Sequence, residues 1–91
     1  MSSFHYLSSA LRQTLPKKGV YKHYKNNDLY EVIDYVLHTE TQETLVYYKS
    51  LYPKKDAPSK FVRPVGLFNE TLIYRDHQVK RFSFLGQLKS S

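Results

Sequence analysis

The sequence predicts a small all-β domain, an antiparallel barrel or sandwich of five or six strands. Three observations carry that expectation. From Gly19 onward, β-branched and aromatic residues gather in short runs that hold eight of the chain's nine tyrosines and four of its five phenylalanines. The runs are separated by turn chemistry, "NND", "TETQE" and "DHQ". A chain of 91 residues also holds only one packed core. Barrel closure would remove the exposed edges that so small a sheet otherwise presents.

The elements follow in order. Residues 1–16 form an N-terminal extension in which Phe4, Leu7, Leu11 and Leu15 recur at helical spacing and Pro16 ends the pattern. A helix that short needs a surface to dock on, either the domain body or a second subunit, so a monomer or a weak homodimer is expected. The barrel domain spans 17–86. Its first strand, "GVYKHYK", alternates Val20, Lys22 and Tyr24 with Tyr21, His23 and Lys25.

After the "NND" turn, "LYEVIDYVLH" reads as a long central strand. Leu29, Ile33, Tyr35 and Leu37 share one face of it, which Glu31 interrupts. With apolar residues on both faces, this strand is expected to be central, bent, or both. "TLVYYKSLY" returns as the third strand, and the proline- and lysine-bearing "PKKDAPSK" is a loop. "FVRP" is a short fourth strand, "VGLFNE" a helical turn or bulge, and "TLIYR" and "VKRFSFL" complete the sheet. Residues 87–91 form a polar tail.

Composition narrows the chemistry. No cysteine is present, which removes disulfides, thiolate metal sites and cysteine nucleophiles. No apolar run approaches the roughly 20 residues that span a bilayer. "MSSFHYLSSALRQTLP" lacks the basic-then-apolar order of a secretory signal, so a cytoplasmic protein with no membrane contact is expected. The formal net charge of +6 favours polyanions at long range.

"GVYKHYKNNDLYEV", "HTE", "TLVYYKSLY", "FVRP", "LFNE" and "KRF" occur in that order. Together they resemble the bacterial family known as domain of unknown function 1653, from about Gly19 to Phe82. The resemblance implies a small SH3-like barrel and no established activity. Phe61 stands where the family commonly shows tryptophan, and Lys80 where it commonly shows proline. The N-terminal 16 residues lie outside the resemblance.

Candidate chemistry is sparse. His23, His38 and Glu40 are the nearest approach to a metal or acid–base set, but a metal needs three or four converging ligands. Serine-nucleophile and phosphate-loop motifs are missing, so no catalytic residue, metal or cofactor is assigned. Tyr21, Tyr24 and Tyr48, interleaved with Lys22 and Lys25 and joined by Lys54, Lys55 and Lys60, outline a basic, tyrosine-bearing face. Such a face stacks bases and holds phosphates. The expected function is therefore a non-catalytic module contacting nucleic acid or a nucleoprotein. A protein- or peptide-binding module using the same face is the alternative, and a minimal enzyme around His23, His38 and Glu40 the third.

Arg63 is the remaining puzzle. It precedes a proline and is therefore extended, sharing a face with Phe61. A buried guanidinium needs partners. An ion pair with Glu31, or failing that Glu70, is the expected structural role; exposure beside Phe61, ready for an anion, is the other.

Overall fold

The computed structural model describes residues 14–88. Seven strands and one helical turn follow one another: β1 (Gly19–His23), β2 (Leu29–Leu37), β3 (Thr44–Ser50), β4 (Lys60–Pro64), α1 (Val65–Phe68), β5 (Thr71–Tyr74), β6 (His77–Lys80) and β7 (Phe82–Gly86). The expected helix falls, up to residue 13, outside the described residues. Five strands form one antiparallel sheet in the order β4-β3-β2-β1-β7, and β5-β6 is a separate hairpin. The all-β class holds. Closure is not seen: among the described residues β4 and β7 are the edges of the sheet, and no ladder joins them.

Strand number also departs from expectation, because "VKRFSFL" divides at Arg81. The Arg81 amide donates to the Glu70 carbonyl (2.8 Å) and its carbonyl accepts from the Tyr24 amide (3.0 Å). Arg81 thereby leaves the hairpin ladder and ties β5–β6 to the end of β1. The turns carry the chemistry that their residues suggest. Asn27 adopts φ 61° and the Asn26 side chain accepts the Asp28 amide at 3.0 Å. The hairpin turns at Arg75 and Asp76, both with positive φ (52° and 66°), one step before the expected "DHQ". Two consecutive positive φ values match the right-handed twist of a two-residue hairpin.

β2 is bent as well as central. Val32 opposes Tyr48 and Asp34 opposes Tyr47, so Ile33 is an unpaired bulge residue. The bulge resets the face, and Tyr30, Val32 and Tyr35 all turn toward the core. This corrects the face expected for β2: Glu31 lies on the outer side, directly across from Lys49, and interrupts no apolar face. The two form a partly exposed ion pair at 3.8 Å.

Tyr21, Val32, Val46, Tyr48, Val65, Phe68 and Phe82 form the buried core, with Tyr30, Tyr35 and Phe61 packed at its margin. The rings of Phe68 and Phe82 stack with centroids 4.3 Å apart and planes 3° from parallel. Tyr21 and Tyr48 meet Phe68 edge-on at 5.2 and 5.5 Å. α1 thus plugs the gap that the sheet leaves between β4 and β7. At one end, the Tyr21 hydroxyl donates to the Lys17 carbonyl (2.8 Å) and the Tyr35 hydroxyl to the Pro16 carbonyl, holding residues 16–17 across the sheet. Among the described residues, no helix is long and apolar enough to cross a membrane.

Two outcomes test this packing. Gly19 has φ +144°, and a Cβ there would stand 2.8 Å from the Gly86 carbonyl oxygen. Gly19→Ala is expected to lose about 2–4 kcal/mol in denaturant unfolding, combining backbone strain with a backbone clash. Gly86 has a similar φ of +146° but open space around it, so Gly86→Ala should lose less. Equal losses would show that the close approach is irrelevant. The second outcome concerns alkali. Burial, aided by Tyr35 and opposed by the bond to Lys17, pushes the Tyr21 phenol up to about 12. The folded state therefore keeps a proton that the unfolded chain releases near pH ~10, so Tyr21 contributes stability below that pH which is lost as pH rises toward 12. Tyr21→Phe should flatten the alkaline loss of stability, and an unchanged pH profile would count against the buried hydroxyl.

Candidate functional site

The inner face of the sheet carries rings from end to end, and cations meet them at both ends: Lys17 lies over Phe84 and Lys18 over Tyr35 at one, and Arg63 over Phe82 at the other, where a histidine joins them. His23 closes β1 and Tyr30 sits near the start of β2, where cross-strand register places Tyr21 opposite Tyr30. Phe61 and Arg63 alternate with outward-facing Val62 on β4, and Phe82 opens β7 opposite His23. Tyr30 lies 5.7 Å from Phe82, 6.1 Å from Phe61 and 6.3 Å from His23, in edge-to-face contacts. The His23 ring stands edge-on to Phe82 at 5.1 Å and against Tyr24 at 4.9 Å. These side chains make a half-exposed aromatic mouth whose floor is Phe82.

Arg63 enters this mouth from β4. Its guanidinium lies 6.0 Å from the Phe82 ring centre and its Nε donates to the Tyr48 hydroxyl at 3.3 Å. No carboxylate pairs with it among the described residues. The expected anchors are both engaged elsewhere: Glu31 faces Lys49 across the outer surface, and Glu70 accepts from Arg81 at 2.7 Å. The sheet itself separates Arg63 from Glu31, since neighbouring positions on a strand point to opposite faces. The expected Arg63 ion pair is therefore corrected to a guanidinium held by a phenol and a ring. A guanidinium is more weakly hydrated than an ammonium and stacks on ring faces, so it tolerates this setting.

His23 shares that electrostatic environment. Burial depresses its pKa, and Arg81, Arg63 and Lys25 add to the depression while Asp28 opposes it. Its Nδ1 accepts the Lys25 amide (3.2 Å), which leaves the proton of the neutral ring on Nε2. Burial, with Asp28 and Tyr48, raises the Tyr30 phenol, and Arg63 acts the other way. At neutral pH the mouth thus holds a neutral imidazole donor and, in Arg63, a half-buried cation without a carboxylate partner among the described residues.

The other sequence candidates disperse. Tyr21 and Tyr48 are core residues, so the expected tyrosine face is corrected to Tyr24, Tyr30 and Phe61. Lys25 stands near enough to His23 to act on its charge. Lys22 and Lys60 pair with Leu29 and Lys49 on the outer face, and Lys54 and Lys55 are exposed in the 51–59 loop. His23 and His38 lie at opposite ends of the nine-residue β2, roughly 26 Å apart at the usual strand rise. His38 Nδ1 instead accepts the amides of Glu40 and Thr41 (3.2 and 3.4 Å). The His23–His38–Glu40 cluster is overturned by that distance, and no group of three metal-ligating side chains occurs among the described residues.

A wide groove of about 670 Å³ lies between residues 14–17, α1 and β7, with Phe82 in its wall. Among the described residues its lining includes Lys17, Asn69 and Lys80 but no carboxylate or imidazole. Tyr30 and Phe82 are the members of the mouth that sequence reading missed. The bulge at Ile33 hid the first, and the break at Arg81 hid the second.

Comparison with known proteins agrees with this architecture. The family model described as "Protein of unknown function (DUF1653)" matches residues 19–84. Among solved structures, the crystal structure of a DUF1653 protein from Bordetella bronchiseptica superposes with a TM-score of 0.71 at 30% identity, covering 84% of this chain and 95% of that one. A search of curated proteins returned no match. The ordered motifs from "GVYKHYK" to "KRF", the fold they build and the family match agree: this chain belongs to the DUF1653 family.

Proposed function

We propose that this chain is a non-catalytic module that binds single-stranded nucleic acid through the aromatic mouth. One observation carries the reading: Arg63 is a half-buried cation without a carboxylate partner among the described residues, set among Tyr30, Phe61 and Phe82. Half-exposed rings supply stacking surfaces for bases, and an uncompensated guanidinium beside them supplies a phosphate contact. Lys25 at the rim and the overall charge of +6 add long-range attraction. A short, open mouth suits splayed single-stranded bases better than a duplex, whose bases are stacked away from such rings.

A fluorescently labelled decathymidylate is the direct test. Log affinity is expected to fall linearly with log salt, with a slope near −0.7 for each phosphate neutralised on a single strand. Arg63→Gln should weaken binding about tenfold and remove about one such increment from the slope, while costing only about 1 kcal/mol of stability, the scale of one neutral hydrogen bond. A stability loss of about 3–5 kcal/mol would instead mark Arg63 as half of a buried ion pair. Absence of binding at low salt sinks the nucleic-acid reading. Salt-independent capture of a defined peptide would transfer the mouth to the peptide-binding alternative.

A further inference from the structure

The charge inventory of the mouth specifies which group of such a strand it accepts, an inference that rests on the single-strand reading. Two guanidiniums act on His23, but they are not equivalent. Arg81 is already matched by Glu70 at 2.7 Å, whereas Arg63 meets only the Tyr48 hydroxyl and the Phe82 ring. His23 is held neutral from several sides at once. The Lys25 amide occupies its Nδ1, and Arg63 from β4, Arg81 from the β6–β7 junction and Lys25 from the β1–β2 turn all oppose a further positive charge. Asp28, from the same turn, favours one and also bears on Tyr30. The rings of Tyr24 and Tyr30 complete the surroundings of the imidazole.

The mouth therefore offers one half-buried unmatched positive charge, Arg63, and one neutral Nε2–H donor, with Lys25 exposed to solvent at its rim. We infer that it binds a single phosphodiester, the monoanionic linkage of the strand, through the Arg63 guanidinium and the Nε2–H of neutral His23, and disfavours a terminal phosphomonoester. A monoester carries about −1.5 to −2 charge at pH 7. Its second charge would find only the solvated Lys25 at the rim and would face Asp28. A diester is matched by Arg63 alone, and its adjoining bases lie within reach of Tyr30 and Phe61.

Competition against the labelled decathymidylate separates these cases, with the dinucleotide thymidylyl-thymidine (one diester) and thymidine 5′-monophosphate (one monoester) as competitors. Near pH ~7.5, where the monoester is a dianion, the dinucleotide is expected to compete at least about tenfold better, the scale of one charged hydrogen bond. Near pH ~5.5 the monoester has largely become a monoanion, because its second pKa is about 6. Its deficit relative to the dinucleotide should then narrow. His23→Phe, which keeps a ring on Phe82 but removes the donor, should weaken the dinucleotide, and Arg63→Gln should abolish competition by both. Nitrogen-detected NMR of His23 should report the neutral Nε2–H tautomer with and without the dinucleotide at neutral pH.

Equal or tighter binding of the monophosphate near pH ~7.5 overturns the diester assignment and leaves the strand reading in place. So does binding of the decathymidylate that neither small competitor displaces, since the strand would then be held outside the mouth. Failure of the decathymidylate itself to bind overturns the strand reading, and the inference falls with it.

Discussion

The stack of Phe68 on Phe82 is the contact on which the rest of the molecule depends. α1 has four residues, far too few to persist as an isolated helix. It exists because Phe68, 1% exposed, is clamped between Phe82, Tyr21 and Tyr48. That clamp covers the open side of a sheet whose edge strands never pair. A ring contact does here what a hydrogen-bonded ladder does in a closed barrel. Because dispersion and burial are less directional than amide pairing, β4 and β7 can stay apart without leaving the core wet.

Phe82 also belongs to the mouth. One of its faces packs on Phe68, while His23, Tyr30 and the Arg63 guanidinium gather around the remainder of the ring. Core and candidate site are therefore not separate layers of this domain. Ninety-one residues leave little volume beyond a single core, so a site has to be made from the core's own margin. The margin is where rings are half exposed and tyrosine hydroxyls stay accessible, the setting in which tyrosine combines packing with polar contact.

Much of the fold was legible because its signals are local. Turn residues at 26–28, the proline after Arg63 and the apolar, aromatic texture of each strand all act within a few positions. The helical turn at "VGLF" was legible for the same reason. What could not be read were the two irregularities that set facing. Nothing in "LYEVIDYVLH" marks Ile33 as the residue to be squeezed out of the ladder, since that choice is made by the neighbouring strand's register. Nothing in "VKRFSFL" marks Arg81 as a break, because its partners are Glu70 and Tyr24. With Ile33 displaced, Tyr35 joins Tyr30 and Val32 on the core face, which leaves Glu31 outside against Lys49 and removes the expected anchor for Arg63. The error about Arg63 was thus an error about β2.

That dependence bears on why an unpaired arginine is tolerated at all. A stranded charge in a deep interior is strongly destabilising, and the usual remedy is a carboxylate. Arg63 is only half-buried, and its flat, weakly hydrated group rests between a phenol oxygen and a ring, so part of the desolvation is offset without a counter-charge. Glu70 stands close by in sequence but is committed to Arg81, whose backbone also splices the hairpin to β1. Structural and unmatched cations are in this way kept separate. One guanidinium fastens the hairpin to β1, and the other meets a phenol and a ring but no carboxylate among the described residues.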